Sequence, residues 1–349
     1  MQSVEKRIKD RVDREFPSVI RDLAPSIQVS AILKGKKRVD LRWGEERRYF
    51  DLASLTKIIF TVSAYMREHS YFDLKPQDIV HDVLPEINEE EVKFFELLSH
   101  SAGYVDWKPY FKKLRSLPKK DRWYELRRMV LCEKRQSHRK NAVYSDLDFI
   151  LLGFALEQLR GRSLIGCWNE LRNDFPKTRL HFCKDNRPKY VKSYYAPTEK
   201  CSWRKQRLQG EVHDDNTWSW GGVSSHAGLF GRLEDVEDWA LSLRKALNGQ
   251  SSWVKPDTVK LFTKRALPKK NGDWSLGFMM PGSSPSCGSY FSSQSFGHLG
   301  FTGTSFWMDP KKDLMITLLT NRVYYGRKRS LIKEARPLIH NIIFEELMR

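Results

Sequence analysis

Ser54 and Lys57 stand three residues apart in DLASLTKIIF, residues 51–60. Residues at that spacing share one face of a helix. A serine in a first helical turn also lies among backbone N–H groups that lack internal acceptors. Its hydroxyl becomes a useful nucleophile only beside a base. A lysine one turn away can be that base if burial or positive neighbours lower its pKa. The Ile58–Phe60 run offers an apolar setting for it. The chemistry on offer is acyl transfer. Taken alone, a serine cap and a surface lysine explain the same four residues, so the reading depends on other segments.

A second group is Glu211, His213, Asp214 and Asp215. It combines carboxylate and imidazole donors of the kind that bind metals. No second such cluster accompanies it, so the expectation is a loop-ordering role and no metal. His100 and His226 sit in HSAG and HAG turns, where bonding to backbone is expected. Trp218 and Trp220 are candidates to line a pocket, and Trp307 to fill a core.

Several elements must position these groups. Val4, Ile8, Val12 and Phe16 recur every four residues and mark an N-terminal helix that ends near Pro17. IQVSAILK (27–34) and KRVDLRWG (37–44) read as an antiparallel strand pair. TSFWMDP and LMITLLT read as two more strands, with the turn DPKKD between them. Leu331, Ala335, Leu338, Ile342 and Leu347 outline a C-terminal helix that Pro337 can kink. Strands and a helix at each end, with a polar helical middle, give an α+β plan. One domain is expected over 1–349, with a sheet part at about 1–60 and 220–349 and an inserted helical lobe at about 61–219. Residues 281–295, PGSSPSCGSYFSSQS, read as a mobile loop.

Two later segments join Ser54 and Lys57. Tyr144-Ser145-Asp146 precedes an apolar helix in NAVYSDLDFILLG, and GHLGFTGTSFWMDP carries a Gly-rich edge into a strand. The order S-x-x-K, then Y-x-N-like, then K-T-G-like resembles the serine β-lactamase and penicillin-binding protein superfamily. The detail is similar to the class C branch, which includes carboxypeptidases, D-aminopeptidases and esterases. LLSHSAG, APTE, GEVHDDN, GGVSSHAGLFG and LLTNR extend the resemblance from about Asp51 to Arg322.

The resemblance implies a β-lactamase/transpeptidase-like fold, a central antiparallel sheet flanked by terminal helices. It implies Ser54 as the acylated nucleophile, Lys57 as its proton acceptor and Tyr144 as second acid/base. It implies an oxyanion hole from the Ser54 and Phe301 backbone N–H groups, with Gly300 and Thr302 beside it in the substrate-binding edge. Tyr144 would need the positive charge of Lys57 to act as a base at neutral pH. His298 and Leu299 replace the lysine and hydroxyl residue of K-T-G, which weakens recognition of a free carboxylate. Asp146 replaces the usual asparagine; it either holds Lys57 or accepts a substrate N–H. The expected function is a serine hydrolase acting on D-alanyl peptides or small esters, with weak or no β-lactamase activity and no cofactor. The alternative is a non-catalytic protein of the same fold that binds an anionic wall polymer.

Charge motivates that alternative. The net charge is +18. Segment 108–140 holds 13 Lys/Arg against 3 Asp/Glu, and segment 177–207 holds 10 against 2. Nucleic acid fits the charge, but the chain shows no zinc-finger spacing, RNA-recognition signature or clear helix-turn-helix. Five cysteines without a C-x-x-C pair argue against a disulfide framework or zinc ribbon. No stretch has the length of a transmembrane helix, and the charged N-terminus does not read as a signal peptide. As the sequence stands the expected compartment is cytoplasmic, or periplasmic or extracellular if an export segment has been removed.

Overall fold

A computed structural model describes residues 2–136 and 141–349. Its main sheet has five strands. They are β1 (Ser26–Leu33) and β2 (Lys36–Gly44) from the N-terminal part, and β8 (Phe296–Leu299), β9 (Ser305–Asp309) and β10 (Leu314–Thr320) from the C-terminal part. The order is β2-β1-β10-β9-β8, and every neighbouring pair is antiparallel. The two ends of the chain meet at β1–β10, in register from Ile27↔Thr320 to Leu33↔Leu314. Every residue of β10 is buried, as expected for a central strand covered on both faces.

Alternation divides the sheet between two cores. Ile27, Val29, Ala31, Trp307, Ile316 and Leu318 face the N-terminal helix Val4–Glu15 and the C-terminal helix Ile332–Met348. Phe306, Met308, Met315 and Leu319 face the larger core, which is shared with the helical lobe. Pro337 lies inside the C-terminal helix, which continues through it.

The lobe is not purely helical. β3 (Phe50–Asp51) pairs with β7 (Leu229–Gly231), which pairs with β4 (His181–Phe182). A two-stranded ribbon joins β5 (Lys200–Cys201) and β6 (Gln206–Arg207). The small sheet carries the chain from β2 to Ser54. Its two-residue strands are too short for hydrophobic alternation to mark them.

The 281–295 segment is pinned rather than loose. Ser289 N–H donates to Asn341 Oδ1 and Ser292 N–H to Asp309 Oδ2, at 2.9 and 2.7 Å. Cys287 and Phe291 are buried under the C-terminal helix. Composition alone read mobility where side chains supply anchors. The five cysteines are free thiols. Among the described residues no helix is long and apolar enough to cross a membrane.

Candidate active site

Ser54 sits on a tight turn between β3 and a helix. Ala53 has φ 48°, a left-handed conformation that is strained for alanine. Neighbours hold it there. Asp51 Oδ1 accepts the Ala53 N–H at 2.8 Å, and the Thr304 hydroxyl donates to the Leu52 carbonyl at 3.1 Å. Strain retained in this way clusters at functional sites. The helix then opens into a π-helical stretch, Lys57–Val62, another feature frequent at such sites. The sequence reading expected an ordinary helix here.

Lys57 is wholly buried, and its Nζ is the hub of the site. It lies 2.6 Å from Tyr144 Oη, 2.7 Å from Asp146 Oδ1, 3.1 Å from Ser54 Oγ and 3.4 Å from the His226 carbonyl. Tyr144 Oη donates to Ser54 Oγ at 2.8 Å. Segments 54–57 and 144–146 thus meet at the Ser54 hydroxyl, and the His226 carbonyl joins them at Lys57. The helix Asp146–Arg160 fixes the second of them: Ser145 caps it, and Asp146 occupies its first turn.

The protonation pattern differs from the expectation of a lysine neutralised by burial. Burial does lower the affinity of Lys57 for its proton, but Asp146 and Tyr144 outweigh it and the pKa is raised. Tyr144 is also raised: burial, with Asp146 adding, outweighs the lowering by Lys57. Both shifts favour the protonated forms of Lys57 and Tyr144. At 2.6 Å apart, Lys57 and Tyr144 titrate as a coupled pair.

The backbone N–H groups of Ser54 and Phe301 have no acceptor among the described residues. Phe301 lies in the turn between β8 and β9, with a side chain 47% exposed. Its ring stacks on His213 at 5.7 Å and under the Arg322 guanidinium at 4.8 Å. Gly300 allows the turn to pack closely against Leu52, two residues before Ser54. A Cβ there would stand 2.0 Å from Thr304 Oγ1 and 2.7 Å from the Leu52 carbonyl. Thr302 is buried, and its hydroxyl donates to the Asp51 carbonyl at 2.7 Å. It braces the turn against β3.

His298 is buried beside Tyr144, with ring centroids 5.8 Å apart. Burial, then the charge of Lys57, lowers its pKa to about 3. Its Nδ1–H donates to the Leu299 carbonyl at 2.8 Å, and Nε2 has no partner. A neutral imidazole cannot serve as the cationic clamp for a carboxylate.

Sequence reasoning missed Trp274, which stacks on Tyr144 at 5.6 Å and packs edge-on against His100 at 4.5 Å. No motif marks it. It also missed the His226 carbonyl beside Lys57 and Asp214 beside Asp146. Asp146, Asp214 and His226 bring donor atoms within 4.8 Å of one another. Those atoms are engaged within the protein: Asp146 with Lys57, and Asp214 with His226 at 3.2 Å and the Thr217 N–H at 2.7 Å. Glu211, His213 and Asp215 serve as loop ties. Glu211 accepts from Trp218, the His213 N–H donates to Asp51, and Asp215 pairs with Arg204 and Arg327. The His100 ring accepts the Ser145 backbone N–H at 3.2 Å, as expected, whereas the His226 ring meets the side chains of Ser224 and Asp214. Much of the basic segment 108–140 is compensated, with Lys113 and Arg128 on Glu125, Arg127 on Glu86 and Arg135 on Glu96. Its residues 137–140 lie outside the described residues.

Fold and site define a serine hydrolase, and the comparisons give its family. The sequence profile of the beta-lactamase family matches residues 5–340, so the chain belongs to that family. A protein of Escherichia coli K12, provisionally named a D-alanyl-D-alanine carboxypeptidase, is 26% identical, over 92% of this chain and 82% of its own length. An N-acetylmuramyl-L-alanine amidase of Bacillus subtilis 168 is 30% identical, over 79% of this chain and 68% of its own. Among solved structures, EstCE1, a hydrolase with promiscuous acyltransferase activity, superposes with a TM-score of 0.69 at 18% identity, covering 96% of this chain and 99% of its own.

Proposed function

We propose that the protein hydrolyses D-alanyl peptides or small esters through an acyl-enzyme on Ser54. The observation that carries this is the convergence of Lys57 Nζ and Tyr144 Oη on Ser54 Oγ, at 3.1 and 2.8 Å, beside two unengaged backbone N–H groups. In this reading Ser54 Oγ attacks the substrate carbonyl. Its proton passes to the deprotonated member of the Lys57–Tyr144 pair. The Ser54 and Phe301 N–H groups hold the oxyanion, where each such donor typically contributes ~10²–10³ in rate. Tyr144 returns a proton to the leaving amine or alcohol as the carbonyl re-forms. Water then repeats the sequence on the ester.

The relatives' names support cell-wall-type peptides. Neutral His298 and apolar Leu299 support substrates that do not depend on a cationic clamp, so β-lactams react slowly or acylate without rapid turnover. Intact-mass measurement over a panel of D-alanyl peptides, their C-terminal esters, simple esters and β-lactams tests both points. An adduct is expected on wild type and none on Ser54→Ala. Equal labelling of the two proteins by a fluorophosphonate would overturn the assignment. A strong preference for the free C-terminal carboxylate over its ester would overturn the substrate reading alone.

A further inference from the structure

A cavity of about 190 Å³ lies between the β2–β3 connection, the approach to β4 and the first turn of the helix Leu233–Leu247. Five arginines line it: Arg42, Arg47, Arg48, Arg179 and Arg232. Gln28 and Tyr49 are the buried residues of its wall. Three of the five guanidinium groups are ion-paired. Arg42 meets Glu234 at 3.0 Å, Arg47 meets Glu45 at 2.6 Å and Arg232 meets Asp235 at 2.7 Å. Arg48 and Arg179 have no carboxylate within ion-pair reach among the described residues. None of the side chains that meet Ser54 or Lys57 lines the cavity, so it stands apart from the catalytic group.

Direct contacts hold the arginines in place. The Gln28 side-chain amide donates to the Arg47 carbonyl at 2.7 Å. The Arg48 and Tyr49 N–H groups both donate to the Tyr194 carbonyl, at 2.9 and 3.0 Å. Arg47 Nη1 donates to the Ser193 carbonyl at 2.7 Å, and the Arg48 guanidinium stacks on the Tyr194 ring at 4.3 Å. The Tyr49 ring is itself stacked on Tyr190 at 4.7 Å. Asp235 secures the other side. It accepts the Arg179 backbone N–H at 2.7 Å while it pairs with the Arg232 guanidinium. Guanidinium groups fixed in this way lose little freedom when they bind a ligand.

We propose that this cavity binds the phosphate group of a small phosphate monoester of the polyol phosphate type. The charge of such a group, close to −2 at neutral pH, matches the two guanidinium groups that lack a carboxylate. Its oxygens accept paired N–H bonds from a guanidinium fork. The ion-paired arginines add donors, because a guanidinium has five N–H groups and one carboxylate does not occupy them all. A carboxylate ligand carries a single charge and leaves one of the two open arginines unmatched. The volume is several times the ~30 Å³ share of a water molecule, which suits a phosphate with a body of a few heavy atoms. Glu46 also lines the cavity without an ion pair among the described residues, and its carboxylate is placed to accept from a hydroxyl of that body. The site does not depend on the hydrolytic reading of Ser54.

Isothermal titration of the full chain with glycerol 3-phosphate, at constant ionic strength, tests the proposal. One saturable site per chain is expected. Dimethyl phosphate, with a single charge, and acetate are expected to bind about tenfold or more weakly. Arg48→Gln combined with Arg179→Gln should weaken glycerol 3-phosphate by about tenfold or more, with fluorophosphonate labelling of Ser54 unchanged. Lys113→Gln combined with Arg128→Gln removes the same charge from two exposed partners of Glu125. That control should keep the affinity within about twofold, because distant surface charges are screened. The absence of a saturable site, or acetate binding as tightly as the ester, would overturn the proposal. Equal losses in the two double variants would also overturn it, by showing an effect of overall charge rather than of the cavity. Inorganic phosphate binding about tenfold more tightly than glycerol 3-phosphate would overturn the ester as ligand.

Discussion

Lys57 and Arg336 are two buried cations that lie on opposite sides of the main sheet. Lys57 is met by a carboxylate, a phenol, a hydroxyl and a carbonyl. Arg336 is met by none of these, and by a second cation. Burial acts on both in the same direction, lowering proton affinity. Asp146 and Tyr144 reverse it at Lys57. Arg322 adds to it at Arg336, which falls to about 9. Depth therefore does not decide the state of a buried cation here; its partners do. An apolar run after a lysine says that the lysine is buried, and says nothing about whether it is neutral.

The largest expected effect comes from removing the better-partnered cation. Lys57→Met should slow acylation of Ser54 by ~10²–10⁴, the range for loss of a positioned acid/base. Single-turnover labelling measures this directly, and a change of only a few-fold would remove Lys57 from the proton path. Arg336→Met should act oppositely on a different quantity. It should stabilise the fold by on the order of 1–4 kcal/mol, the range seen when buried ionic groups give way to well-packed apolar residues. Urea unfolding reads the difference, and destabilisation of that size would show that the guanidinium is satisfied after all.

The pH dependence separates the two cations further. The folded pKa of Arg336, about 9, lies below its ordinary 12.5. Between those values the unfolded chain binds the proton and the folded chain does not, so stability from this group rises with pH. The gain from Arg336→Met should shrink as pH is raised from 9. Lys57, raised above 10.5, has the reverse sign: its stabilisation is complete below 10.5 and is lost as pH climbs through its folded value. Unfolding curves for wild type and Arg336→Met at pH 7, 9 and 10 should converge, and parallel curves would count against a depressed Arg336.

How far the sequence could carry these conclusions depends on the kind of signal. The four long strands and both terminal helices follow from hydrophobic period, and β1 and β2 fall within a residue of their expected bounds. Ser54, Lys57, Tyr144 and Asp146 were legible because each sits in a motif with fixed spacing. The π-helical turn, the stack of Trp274 on Tyr144 and the commitment of Thr302 to Asp51 were not. Each depends on a tertiary neighbour rather than on local pattern. Arg336 is the extreme case. No motif or period marks it, and only the tertiary packing of its helix makes it a buried charge.

The smallest and most informative change concerns Asp146 itself. Its carboxylate raises the pKa of Lys57 and also that of Tyr144. Asp146→Asn keeps an oxygen to accept from Lys57 Nζ but removes the charge. Both pKa values should then fall, and with them the pH at which the pair loses the proton that frees a base for Ser54. The alkaline rise in acylation rate should move to lower pH, with a few-fold gain at pH 7 and little change on the high-pH plateau. An unmoved profile would mean that another group sets the proton count. A lowered plateau with an unmoved limb would mean that Asp146 acts on the substrate N–H. The variant thereby separates the two roles its carboxylate could play, by moving Lys57 part of the way toward the uncompensated state of Arg336.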